Sequence, residues 1–224
     1  MGDPNPLAAN GIGLMKTNRW LLALALVAPA LAPESGRAQM ALSRDSGLIV
    51  SSVEAAIARP ARRMENFSVV VDVSDRVLYV MSGQRVVRSY PVSVGEAGYD
   101  TPTGQFTIRR MIWNPDWRPP PSAWARDKKY EAPGSPGNPM GRVKMFFREP
   151  DFYIHGTGLT SSLGNARSHG CIRMRNIDAV ELARLVMVNG GEPKNDAWFQ
   201  ETVAQKENMR PVTLATPVTF RVRE

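Results

Sequence analysis

The sequence predicts a mainly β protein, a β-sandwich or barrel with one or two helices packed on it near the C-terminus. Three observations carry this expectation. Period-two runs rich in β-branched residues begin at Phe67 and recur through the first two-thirds of the chain. Short clusters of Gly, Ser, Asp and Pro separate those runs, as turns between neighbouring strands do. Helical spacing with start and stop signals appears only after Asn176.

Taken in order, SVVVDV (68–73), RVLYVM (76–81) and RVVRSYPVSV (85–94) read as three strands. Turns at Ser74-Asp75 and Ser82-Gly83 join them into an antiparallel meander. GEAGYDTPTG (95–104) is a loop and QFTIRRM (105–111) a strand. A long proline-rich insert follows, over 113–141. Its tryptophans Trp113, Trp117 and Trp124 argue for a packed functional lid rather than disorder. RVKMFF (142–147) and FYI (152–154) return as strands, which puts His155 at a strand end and leaves 156–170 as a loop. CIRM (171–174) reads as a short strand. Asn176 is expected to cap a helix over 177–188, with Val180, Ala183 and Val186 as its apolar stripe and Gly190-Gly191 as its stop. A second helix over 196–208 and two strands, VTL (212–214) and VTFRV (218–222), close the chain.

The N-terminus points to export. Lys16 and Arg19 precede a thirteen-residue apolar run, Trp20 to Ala32. That length suits a signal-peptide core and is short of the ~20 residues a spanning helix needs. Residues 1–38 are therefore expected to be a signal peptide, with Met15 as an alternative start, and the mature protein to be exported. Residues 39–66 read as a lead-in segment or tether, with a short helix near 53–58, and 67–224 as the catalytic domain. Without 1–38 the net charge of +7 becomes +6, because Lys16, Arg19 and Arg37 leave together with Asp3 and Glu34. A basic protein favours an anionic partner. No Lys/Arg-rich run interleaved with aromatics is present, so nucleic acid is not that partner.

The chemistry gathers in one stretch, HGTGLTSSLGNARSHGCIRM (155–174). Both histidines of the chain, His155 and His169, and its single cysteine, Cys171, lie there. Three readings follow from the residue types. Cys171 is a nucleophile activated by a histidine, with Gly170 admitting a substrate carbonyl close to backbone amides. Alternatively the three residues bind zinc with an open position, although His169-Gly-Cys171 is cramped for two ligands of one ion. In the third reading all three are structural.

His155-Gly-Thr, followed after twelve positions from His155 by Ser168-His-Gly-Cys-Ile-Arg173, resembles the L,D-transpeptidase (YkuD-type) catalytic domain. YPVSVGEAGYDTPTGQFTI is similar to that family's strand and Thr-Pro-x-Gly loop, and NPDWRPPPS and GNPMG to an insert of its proteobacterial periplasmic members. The resemblance implies an L,D-transpeptidase-type β-sandwich without metal or cofactor. It implies Cys171 as nucleophile and His155 as general base, oriented by the Gly156 carbonyl. His169 would line the site, Gly170 and Cys171 amides would form an oxyanion hole, and Ser168 would bond locally. Arg173 would hold a substrate carboxylate or brace the loop, and Trp117, Arg118 and Asn138 would wall the groove. The implied substrates are peptidoglycan stem peptides. The acyl group would pass to another stem or to an envelope lipoprotein or outer-membrane protein, with hydrolysis as the alternative. Carbapenems would acylate the cysteine, and the biological role would be cell-wall organisation and cell shape.

Overall fold

Residues 55–224 are described by the computed structural model; the expected signal peptide and most of the 39–66 lead-in lie outside them. The strands are β1 (Phe67–Asp72), β2 (Val77–Ser82), β3 (Arg85–Pro91), β4 (Val94–Gly95), β5 (Gly104–Trp113), β6 (Val143–Arg148), β7 (Phe152–Thr157), β8 (Ala166–Ser168), β9 (Ile172–Arg175) and β10 (Arg210–Arg223). Two helices, α1 (Asn176–Asn189) and α2 (Asp196–Ala204), sit between β9 and β10. The mainly β class with C-terminal helices is thus the observed one.

Eight strands form one sheet in the order β3-β2-β1-β10-β5-β6-β7-β9, and β4 pairs with β8 beside it. The β1–β2–β3 meander is antiparallel as expected. The first and last strands, β1 and β10, run parallel as neighbours. The sheet rolls until its edges meet: Ser93, two residues beyond β3, exchanges two 2.9 Å backbone hydrogen bonds with Arg173 of edge strand β9. The layers therefore come from a single curled sheet.

Several local expectations change. The two closing strands are one long strand, β10, irregular between Thr213 and Val218 where its register against β5 shifts. A bulge absorbs extra residues while pairing continues on both sides. The strand expected to stop at Ile154 runs through Thr157, so His155 lies inside β7 rather than at its end. Asn176 does not cap α1; Arg175 holds that position without a side-chain cap. The Asn176 Oδ1 instead accepts the Arg142 amide at 3.0 Å, tying the end of the insert to the start of α1. Asn195 does cap α2, accepting the Trp198 amide at 2.9 Å.

One apolar core joins Val69, Val71, Leu78 and Val80 of the meander to Met111, Ile154, Ile172, Met174, Phe220 and the Ala179–Met187 stretch of α1. The end of the lead-in takes part. Ala56 and Ile57 are buried, and the Arg184 guanidinium of α1 donates to both of their carbonyls.

Candidate active site

Alternation along neighbouring strands assembles the site. In β7 and β9, paired in parallel, Ile154 lies opposite Ile172 and His155 opposite Arg173. In β6 and β7, Lys144 faces His155, Met145 faces Ile154 and Phe146 faces Tyr153. Successive side chains point to opposite sides of a sheet. Met145, Ile154, Ile172 and Met174 enter the core, fully buried. Lys144, Phe146, Tyr153, His155 and Arg173 consequently share the other face, and Cys171 sits in the turn immediately before β9, beside Tyr153.

His155 is 2% exposed, and its Nδ1 lies 2.8 Å from the Gly156 carbonyl. Nδ1 is therefore the protonated nitrogen, which leaves Nε2 as the basic one. Burial pushes the imidazole pKa down to about 4, with Arg173 and Lys144 acting in the same direction. The Gly156 and Pro139 carbonyls act against that by favouring the charged ring. Burial likewise pushes the Cys171 thiol up to about 11, while the Tyr153 amide, Arg173 and the Tyr153 hydroxyl favour the thiolate. The thiol donates to the Asp151 carbonyl at 3.3 Å. Both partners of the pair are uncharged at neutral pH. Desolvation also raises the Tyr153 phenol well above its ordinary range, so it stays a donor beside the sulfur.

The turn that presents Cys171 is fixed from two sides. Gly170 has φ +103°, and a Cβ there would come within 2.7 Å of the Phe152 ring. Only glycine meets both conditions without strain. The Gly170 amide donates to Ser168 Oγ at 3.1 Å, and Ser168 Oγ donates to the Cys171 carbonyl. Thr101 of the Thr-Pro-x-Gly loop holds the other side: its buried hydroxyl accepts from the Gly95 amide at 2.8 Å and donates to the Gly170 carbonyl at 3.0 Å.

His169 points away from this pair. Its Nε2 is 3.7 Å from Glu96, and its ring lies between Trp124, stacked at 3.9 Å, and the edge of Tyr99 at 4.7 Å. Burial and Arg173 lower its pKa, against the opposing pull of Glu96. Trp124 stacks in turn on Trp117 at 6.5 Å, which places the insert against the cysteine motif. Arg173 Nη1 donates to the Arg167 carbonyl at 3.0 Å, a bracing contact, and its guanidinium also faces Cys171 and Glu96.

The remaining groove candidates lie within the insert. Trp117 is buried and pairs with Glu131 in a backbone bridge. Arg118 is mostly exposed, bonded to Asp116 at 3.2 Å and lying over Tyr130. Asn138 spends its amide on the Pro115 and Ala132 carbonyls and the Met140 amide, and so holds the insert together. Sequence reasoning missed Tyr153, Lys144, Thr101 and Trp124 as parts of the site. Tyr153 was within reach, since it precedes His155 by two in a strand, and Thr101 lies in a loop already singled out. For Lys144 and Trp124 the sequence holds no such signal. Among the described residues no three His, Cys, Asp or Glu side chains converge as metal ligands.

A family model described as the L,D-transpeptidase catalytic domain, YkuD, matches residues 66–216. The chain belongs to the YkuD family of L,D-transpeptidase catalytic domains. Among its relatives, the protein of Bacillus subtilis classed as L,D-transpeptidase YkuD is 32% identical over 120 residues, covering 54% of this chain and 60% of its own length. The protein of Escherichia coli classed as L,D-transpeptidase YbiS is 33% identical over 113 residues, 46% of this chain and 36% of that one. The matches thus span about 60% of the first relative and about a third of the second. L,D-transpeptidase 3 from Mycobacterium tuberculosis overlays loosely, with a TM-score of 0.45 at 16% identity, over 71% of this chain and 61% of that one.

Proposed function

We propose that this chain is an exported, cysteine-dependent peptidoglycan L,D-transpeptidase acting in the periplasm. The observation that carries the reading is the sheet face on which Tyr153, His155 and Arg173 stand on paired strands β7 and β9, with Cys171 in the turn immediately before β9. A stem tetrapeptide binds with the carbonyl of its third residue against the Gly170–Cys171 turn. Nε2 of His155 takes the thiol proton as Sγ attacks that carbonyl. Because the resting pair is neutral, proton transfer accompanies attack rather than preceding it. The imidazolium that forms is stabilised by the carbonyls of Gly156 and Pro139.

The Gly170 amide is committed to Ser168, so the oxyanion falls to the Cys171 amide and the Tyr153 hydroxyl. His155 returns the proton to the departing amine of D-Ala, leaving a thioester on Cys171. An acceptor amine then attacks the thioester with His155 again as base. The thiolate leaves and is reprotonated, and the acyl group passes to another stem or to an envelope lipoprotein or outer-membrane protein. Water in place of the amine gives the hydrolase alternative. Arg173 and the basic mature surface suit a substrate bearing carboxylates.

Incubation of the purified protein with disaccharide-tetrapeptides tests this. D-Ala release with cross-linked dimers is the expected result, together with a carbapenem adduct by mass that Cys171→Ala lacks. D-Ala release without dimers would select hydrolysis or another acceptor. No acyl adduct on wild type would overturn the reading.

A further inference from the structure

Lys144 belongs to no motif of the site, yet it stands beneath it. It pairs in register with His155, and its ammonium lies 5.5 Å from the Phe146 ring centroid and 5.7 Å from that of Tyr153. Asp116 of the insert holds it, with Nζ 3.4 Å from the Asp116 carbonyl and 3.8 Å from Oδ1. The Lys144 side chain is 13% exposed and that of Asp116 11%. Asp116 also serves Arg118, at 3.2 Å through Oδ2. One carboxylate shared by two cations leaves a net positive charge under the site. Burying a lysine costs free energy that a long ion pair does not return, so its place there calls for another role.

We propose that Lys144 is a positioning residue for the cysteine: anchored by Asp116 of the insert, its ammonium beneath Tyr153 draws the Cys171 thiol toward thiolate and keeps His155 an uncharged base. The inference rests on the transpeptidase reading, in which Cys171 attacks. The charged and titratable groups facing Lys144 are Arg110 of β5, Asp116 and Arg118 of the insert, Tyr153 and His155 of β7, and Cys171 in the turn before β9. Of these only Asp116 is anionic at neutral pH. Burial lowers the Lys144 pKa, while Asp116 and a thiolate on Cys171 oppose that by favouring the ammonium, and the attraction is reciprocal. Through the insert, the segment that covers His169 also holds the charge that tunes the nucleophile.

The test is the rate of Cys171 alkylation by iodoacetamide between pH 6 and 11, with near-ultraviolet circular dichroism to confirm folding. Lys144→Met is expected to shift the rate profile toward higher pH, seen as roughly tenfold slower alkylation between pH 7 and 9, where the ammonium is charged, as loss of a nearby cation does. Lys144→Arg keeps the charge and stays near the wild-type profile. The double variant Lys144→Met/Asp116→Asn leaves no unpaired carboxylate and is expected to show the same shift, which answers for any misfolding of the single variant. Folded variants whose profiles superimpose on wild type would overturn the inference, and so would failure of both to fold. A wild type that alkylates normally but takes no acyl group from tetrapeptides would instead sink the transpeptidase reading, with the alkylation profile still reporting on Lys144.

Discussion

Strands β7 and β9 present Ile154, Ile172 and Met174 to the core on one face and Tyr153, His155 and Arg173 on the other, with Cys171 in the turn that enters β9. The first set is apolar and fully buried, and each member gains by leaving water. The second set is polar and held where its charged forms are disfavoured, the imidazole driven down to about 4 and the thiol up to about 11. The same backbone thus carries the core on one side and the candidate site on the other. Pairing on the core side fixes where the reactive side stands, so precision at the site is inherited from packing behind it.

Mutations should separate the two faces. The largest effect is expected on the site face: Cys171→Ser and His155→Ala should lower D-Ala release by about 10³-fold or more, with the urea midpoint of Cys171→Ser close to wild type. Equal loss of stability would show that the faces are not independent. On the core face, Ile172→Ala should cost about 2–5 kcal/mol in urea unfolding, with activity per folded molecule largely kept. A smaller effect tests His155 in both capacities. Its folded pKa, near 4, lies below the ordinary 6.5, so the unfolded chain binds the proton that the folded one refuses. Its contribution is whole above about pH 6.5 and is lost as pH falls toward 4, on the order of 3 kcal/mol. The urea midpoint of His155→Gln should be correspondingly less sensitive to pH over that window. Smallest is Thr101→Val, which strands the Gly95 amide and leaves the Gly170 carbonyl without its donor. It should cost about 1–3 kcal/mol and slow carbapenem acylation, because the turn beneath Cys171 loosens.

The strands and the reactive cluster were legible because both are local signals. β1, β2, β5 and β6 follow the period-two runs closely, and the histidines and cysteine stand out by scarcity alone. What stayed hidden depends on pairing. That β10 is one strand with an irregularity required its partner β5, since residues 215–217 carry no strand pattern of their own. Asn176 looked like a cap because Asn is a good one, but the backbone of Arg142 claimed its oxygen. Lys144 could be connected to the site only through register with β7, and Trp124 only through its stacking on His169. The predicted extent of 67–224 also omitted Ala56 and Ile57, whose burial depends on Arg184, more than a hundred residues away.

The meeting of Ser93 with Arg173 has a consequence for when the enzyme exists at all. β9 is the outermost strand of the sheet, and that bridge lies eighty residues apart in sequence. The neighbours β1 and β10 come from opposite ends of the domain. Contacts of such separation form only after their loop-closure entropy has been met, which makes folding slow and late-closing. In a partly folded chain Cys171 is an ordinary thiol, without a partner histidine held in place. The arrangement around Cys171 is complete only when the last strand has joined the first.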